Sequence, residues 1–209
     1  MKRIIRLGFR LLYNEMAWTY DPVAWSVSLG RWKAWGRTSI KHLRGRRVLE
    51  LAHGPGHLLV ALAQAGFRPV GIDLSSYMSR QALRQTRRLG IHVPLVRCRA
   101  QALPFRSGEF DSVVATFPTE YIADPLTLHE VARVTDPEGR LVIVAGAKLL
   151  GRQPSVRFID WLYRFTLQSR APTEGKESVF QQAGLPVQIE QETVGSSTVI
   201  LLVADKAHT

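Results

Sequence analysis

From residue 46 to 145 the chain alternates short β-branched runs with helical patterns, and few folds tolerate that rhythm. Strands are predicted at 46–51, 69–73, 93–97, 110–116 and 140–145. Helices are predicted between them at 57–65, 77–89 and 125–134, with Gly66 and Gly90 closing the first two. Helical crossovers of this length return the chain to the same edge of a sheet, so the strands run parallel and both faces are covered. The end of the chain breaks the rhythm. After a helix at 176–183, strands at 187–194 and 197–204 are separated only by Gly195 and Ser196. So short a link forces an antiparallel pair. The expected fold is α/β: a doubly wound, seven-stranded, mostly parallel sheet that ends in an antiparallel hairpin.

Two segments lie outside this pattern. Residues 1–45 set Ile4, Ile5, Leu7, Leu11 and Leu12 among Arg3, Arg6 and Arg10, then add Trp18, Trp25, Trp32 and Trp35. They are expected to form a basic, aromatic, helical lid over a core of residues 46–209. Residues 148–172 interrupt the core as an insertion with five basic residues and one acid. The net charge of +11 is uneven, for residues 1–47 carry +9 of it. A basic end favours an anionic partner such as a lipid headgroup, nucleic acid or an acidic metabolite.

At 209 residues the chain can bury one core and little more. Its single cysteine, Cys98, excludes an internal disulfide and a cysteine-rich zinc site, and fits a reducing compartment. Met1-Lys2-Arg3 imitates the start of a secretory leader, but Arg6 and Arg10 break the apolar run that follows. No uncharged apolar stretch reaches the roughly 18 residues of a membrane span. A cytoplasmic protein is expected, peripheral at the inner membrane face.

The residues that point to chemistry begin with Glu50-Leu51-Ala52-His53-Gly54-Pro55-Gly56, between the first strand and the first helix. A sharp turn that passes close to a ligand needs positions without a side chain, here Gly54 and Gly56. A pyrophosphate-binding loop would read Gly-x-Gly-x-x-Gly, but the third position is Leu59 and a carboxylate precedes Gly54 by four residues. That acid repels a pyrophosphate and suits a cation. Asp73 ends the second strand, 17 residues after Gly56, where a carboxylate can accept both ribose hydroxyls of a nucleoside. The plainer alternative is that Asp73 caps the helix starting near Ser75.

Arg99-Ala100-Gln101-Ala102-Leu103-Pro104-Phe105, Phe110-Asp111-Ser112-Val113, Glu130, Arg133-Val134, Pro137 and Gly139 follow in order. Together with the glycine loop they resemble the class I S-adenosylmethionine-dependent methyltransferases, in particular the ubiquinone/menaquinone-biosynthesis (type 11) family. The resemblance covers roughly residues 46–145 and implies a Rossmann-like fold. It implies S-adenosylmethionine, with S-adenosylhomocysteine as product and no metal, held by Glu50, Ala52, His53, Gly54, Gly56, Asp73, Leu74, Ala100, Gln101, Thr116 and Tyr20. Two positions depart from the family. Ala52 stands where the first loop glycine is usual, and Arg99 where an acid receives the adenine amino group. Adenine recognition then falls to Ala100 and Gln101.

The resemblance draws acceptor residues from the N-terminal segment and from the region after the fourth strand: Tyr13, Trp18, Phe117 and Tyr121. Glu120 and His53 are the candidate bases for an acceptor that must lose a proton. Glu130 and Arg133, three apart on a helix, form a structural ion pair, and Arg80, Arg84, Arg87 and Arg88 fall on one helical face. The expected activity is methyl transfer to a small-molecule acceptor, a lipid, quinone or other hydrophobic compound at an anionic membrane surface. The alternatives are an RNA methyltransferase, against which no base-methylation motif follows the fourth strand, and a domain that binds the cofactor without catalysis.

Overall fold

A computed structural model describes Ser28 and residues 30–149 and 175–207. Among these, five α-helices lie on a seven-stranded sheet of order β3-β2-β1-β4-β5-β7-β6. In chain order the elements are α1 (Trp32–Arg37), β1 (Arg47–Leu51), α2 (His57–Gln64), β2 (Arg68–Ile72), α3 (Ser76–Arg88), β3 (Leu95–Val96), β4 (Phe110–Thr116), α4 (Pro125–Val134), β5 (Thr135–Leu149), α5 (Glu177–Gln182), β6 (Val187–Thr193) and β7 (Ser197–Asp205). β1 to β5 pair in parallel, while β7 runs antiparallel between β5 and β6. The doubly wound sheet with an antiparallel end is the fold expected from the alternation of elements.

The two-residue period of each strand divides the core. Leu49, Leu51, Val113, Ala115, Leu141 and Ile143 face Leu128, Val131 and Val134 of α4 and Phe180 of α5. Val48, Val114, Val142 and Val144 face Trp35 of α1 and Leu58, Ala61 and Leu62 of α2. Each central strand is apolar on both sides because helices cover both.

Two strands differ from expectation. β3 has only two residues, since Pro94 lacks an N–H and keeps only its carbonyl in the ladder, accepting from Gly71 N–H at 3.0 Å. β5 has fifteen, because Thr135 already pairs with Phe110 and β7 continues to supply partners as far as Leu149. The first two residues of the insertion, Lys148 and Leu149, thus belong to β5, and its remainder to residue 172 lies outside the described residues. So do residues 1–27 of the predicted lid.

The described part of the N-terminal segment is tied into the sheet. Trp35 is buried under β4 and β5, Arg44 N–H donates to Ser112 Oγ at 2.8 Å, and Lys41 and His42 pair with Glu192 of β6. Glu130 and Arg133 do more than pair along α4. Arg133 also donates to the carbonyls of Phe105 (2.7 Å) and Leu103 (2.9 Å), and Leu103 N–H donates to Glu130 Oε2 at 2.7 Å. The pair thus pins the Leu103-Pro104-Phe105 loop to the helix.

Candidate functional site

β1 delivers Glu50 and then turns. Leu49 and Leu51 point to one face of the sheet, so Glu50 falls on the other, beneath α1 and α2. It is 1% exposed, and its Oε2 accepts no hydrogen bond from any described residue. Burial pushes its carboxyl well above the ordinary carboxylate range; the charge of Asp73 pushes the same way, and Leu59 N–H pulls back.

The turn itself is built from left-handed residues: Ala52 at φ +52°, Gly54 at +53° and Gly56 at +85°. A Cβ on Gly54 would meet nothing within 4 Å, whereas one on Gly56 would lie 2.8 Å from Ala82 Cβ of α3. Gly54 thus borders open space, and Gly56 lets α3 approach the loop. Ala52 stands where a glycine was expected, and its left-handed φ shows that the exchange carries a cost. Its methyl is small, but a residue with a Cβ at this φ is strained by about 1–2 kcal/mol.

Asp73 holds the turn. Gly54 N–H donates to its Oδ2 at 2.9 Å and Ser75 N–H to its Oδ1 at 2.7 Å. The cap of α3 is Ser75, whose Oγ accepts from Met78 N–H, so capping is not the task of Asp73. Each Asp73 oxygen keeps room for a second donor. His53 lies under the loop, 3% exposed, its Nδ1 2.7 Å from Gly54 O. A carbonyl only accepts, so Nδ1 carries the proton and Nε2 is bare, closed to solvent and unpartnered among the described residues. The ring lies over Gly71, where a Cβ would come within 2.9 Å of it. Burial lowers the imidazole pKa, against the pull of Asp73.

β4 contributes Thr116 and Phe117. Phe117 has φ +48°, a strained conformation for so bulky a residue, held by its N–H donating to Val144 O at 2.8 Å. Its ring stacks on Trp32, centroids 4.0 Å apart and planes 31° apart. A cavity opens between these pieces. Glu50, Ala52, His53, Gly54, Thr116 and Phe117 line it from the sheet and the turn, and Trp32, Lys33, Gly36, Pro55, His57 and Leu58 complete the wall. Trp32, Lys33 and Gly36 were not among the sequence candidates. The cluster of tryptophans was visible, but nothing local distinguishes Trp32, in this wall, from Trp35, in the core.

The other candidates are dispersed. Leu74 follows Asp73 and is exposed. Ala100 is buried, Arg99 is exposed, and Gln101 Nε2 donates to Asp124 Oδ2 at 3.0 Å, beside the start of α4. Glu120 is exposed and Tyr121 half-buried on a 3-10 turn (Glu120–Ala123), and neither lines the cavity. Tyr13, Trp18 and Tyr20 lie outside the described residues. Among the described residues no group of three His, Cys, Asp or Glu side chains is placed to hold a metal ion.

The methyltransferase domain family matches residues 48–139. A demethylmenaquinone methyltransferase of Mycobacterium sp. (strain KMS) is 35% identical over 165 residues, 77% of this chain and 67% of the relative. That of Thermus thermophilus is 33% identical over 139 residues, 64% of this chain and 63% of the relative. The chain spans less than two thirds of the Thermus enzyme's length. In fold it is similar to the geranyl diphosphate C-methyltransferase of Streptomyces coelicolor, solved with Mg2+, geranyl diphosphate and S-adenosyl-L-homocysteine: TM-score 0.62, 20% identity, 83% of this chain and 79% of the other. It is also similar to phosphoethanolamine N-methyltransferase 2 of Haemonchus contortus, with TM-score 0.64 and 17% identity over 85% of this chain and 53% of the other. With its strand order, its left-handed turn after β1 and these sequence matches, the chain belongs to the class I S-adenosylmethionine-dependent methyltransferases of the menaquinone and ubiquinone type.

Proposed function

We propose that this chain binds S-adenosylmethionine in the cavity at the end of β1 and transfers its methyl group to a small, hydrophobic acceptor of quinone type. The observation that carries the reading is Glu50: a carboxylate 1% exposed, with an unpartnered oxygen, in the wall of an open cavity. A buried acid without a partner is costly unless a cation meets it there. The cofactor's amino-acid end is cationic, and a pyrophosphate would face both Glu50 and Asp73. The residues present therefore fit the cofactor.

When bound, S-adenosylmethionine supplies an activated methyl group together with its own leaving group. The chain's residues supply placement. Glu50 offsets positive charge, Asp73 accepts hydroxyl donors on its free lone pairs while bracing Gly54, and Gly54 leaves the space a side chain would fill. His53 holds the loop through its Nδ1–H bond to Gly54 O. The stacked rings of Phe117 and Trp32 offer a flat apolar wall for an aromatic acceptor. Direct displacement needs the acceptor atom in line at about 3 Å, which is a task of positioning.

The curated relatives are demethylmenaquinone methyltransferases, and the +9 carried by residues 1–47 suits an acceptor drawn from an anionic membrane surface. Calorimetry with S-adenosylmethionine and with NAD tests the cofactor. Transfer of a labelled methyl group to a hydroxylated naphthoquinone tests the acceptor. Binding of NAD in place of S-adenosylmethionine, or of neither, would sink the proposal. Cofactor binding without transfer to any quinone would leave the cofactor site and remove the acceptor.

A further inference from the structure

We infer that the outer face of α3 is a docking surface for an anionic lipid bilayer. Between Leu74 and Arg99 the chain has six arginines (Arg80, Arg84, Arg87, Arg88, Arg97 and Arg99) and no Asp or Glu. α3 buries Met78, Ala82 and Thr86 and turns Arg80, Arg84, Arg87 and Arg88 to solvent, a spacing that gathers all four on one side of the helix. None of these four is ion-paired among the described residues.

Charge alone describes a solvated face, but apolar side chains share it. Of the six large hydrophobic residues most exposed among the described ones, four belong to this helix or its ends: Tyr77 (43%) and Leu83 (37%) among or beside the arginines, Leu74 (58%) just before the first turn and Leu89 (53%) at the C-cap. Tyr77 stacks under Arg80, with the guanidinium 4.3 Å from the ring centroid. Leucines in water at both ends of an arginine helix suit one occupant above others. Lipid phosphates take the guanidinium groups, and the acyl boundary just beneath takes Leu74, Leu83 and Leu89. A nucleic acid would satisfy the arginines and leave the leucines in water.

The inner side of the same helix meets the cavity's turn, with Ala82 against Gly56 and Gln85 bonded to His57 at 3.0 Å. Docking through α3 thus holds that turn about one helix diameter, ~10 Å, from the lipid headgroups. The inference deepens the acceptor reading, and rests on it only for the purpose of docking. The surface itself stands without it.

The test is sedimentation of the full chain with phosphatidylcholine vesicles, with and without phosphatidylglycerol, at low and high salt. Wild-type protein is expected to sediment only with phosphatidylglycerol, and less at high salt. The triple variant R80Q/R84Q/R87Q, with its residues 1–47 unchanged, is expected to lose about tenfold or more in partitioning. L74S/L89S tests the apolar half and is expected to lose several-fold, still measurable when salt has weakened the charges. R68Q/R106Q/K148Q removes equal charge from exposed sites elsewhere, also with residues 1–47 unchanged, and is expected to change partitioning far less. Thermal melting checks that each variant is folded.

The proposal is overturned if the wild type stays in solution with anionic vesicles. It is equally overturned if the control triple loses as much as the α3 triple, or if the α3 triple loses retention on single-stranded RNA while vesicle binding is unchanged. Should calorimetry find no S-adenosylmethionine affinity while the vesicle results hold, the functional reading falls and the docking surface stands.

Discussion

Replacing Glu50 by glutamine tests why a carboxylate is buried in the cavity wall. Burial and Asp73 both disfavour its ionised form in the free protein. Glutamine keeps the shape and an acceptor for Leu59 N–H, so the free variant should be as stable as wild type or more so. Relief of a cost on the order of 1 kcal/mol would raise Tm by about 2–4 °C in a chain of this size. The sign with pH follows from a raised pKa. The stability tied to protonated Glu50 is complete at low pH and is lost as pH rises through that raised value, so the variant's advantage grows with pH. Ligand binding should change the other way. Loss of a charge-assisted contact costs about 1.5–3 kcal/mol, or roughly 10- to 150-fold in S-adenosylmethionine affinity. A cation also draws the proton off Glu50, so wild-type binding should release protons, seen as a heat that varies with the buffer's ionisation enthalpy. E50Q should show none of that variation. The reasoning is refuted if E50Q melts several degrees lower while its affinity and proton release match wild type, for Glu50 would then be a structural acid.

Asp73→Ala should weaken S-adenosylmethionine binding by about 1–3 kcal/mol in calorimetry, since it removes the brace on Gly54 and two acceptor sites together. Gly54→Val should abolish that binding with the fold retained by circular dichroism, because the valine side chain would fill the open space left for the cofactor, while the +53° φ adds only local strain; an unchanged affinity would mean that the turn does not contact the cofactor. Ala52→Gly should raise Tm by a few degrees by relieving about 1 kcal/mol of left-handed strain, with a lower Tm counting against the argument. Arg99→Asp should leave cofactor affinity equal or tighter by restoring an acidic acceptor for an amino group, and a large loss would show that Arg99 itself makes a needed contact.

Elements whose cause is local were legible in the sequence. α4 was expected at 125–134 and found there, because Asp124 caps it and Pro125 suits its first turn. β4 was expected at 110–116 and found there, bounded by Gly108 and Pro118 and apolar on both faces. Elements whose length depends on a partner were not. β5 grows well beyond its apolar run because β7, sixty residues away, keeps hydrogen-bonding to it.

The site divides along the same line. Glu50, Gly54 and Asp73 come together because strand ends and a glycine turn are readable from order alone. The wall formed by Trp32 and Phe117 is not readable, since it requires α1 to pack against the end of β4, a contact between residues 85 apart. Nor does residue type foretell the positive φ of Ala52 and Phe117, which the surrounding structure imposes. Glu120 and Tyr121 follow β4 in sequence, but the 3-10 turn carries them away from the cavity's lining.

The ladder between β4 and β5 stops at Thr116 and Val144, yet β5 continues to Leu149 beside β7. A bulge between Val144 and Gly146 bends it where it leaves the parallel strands. Five residues at about 3.3 Å each make a ribbon that projects roughly 16 Å past the edge bearing Glu50 and Asp73. Near its base the ribbon is tied to the cavity wall, for Ala147 and its partner Val199 share an apolar cluster with Trp32, Trp35 and Phe117. The fold is modular only beyond that point, where Lys148 and Leu149 pair with Thr198 and Ser197 of β7. Mutations at the ribbon's tip, including changes of length beyond Leu149, can drift under selection for a new acceptor while the floor of the cavity keeps its geometry.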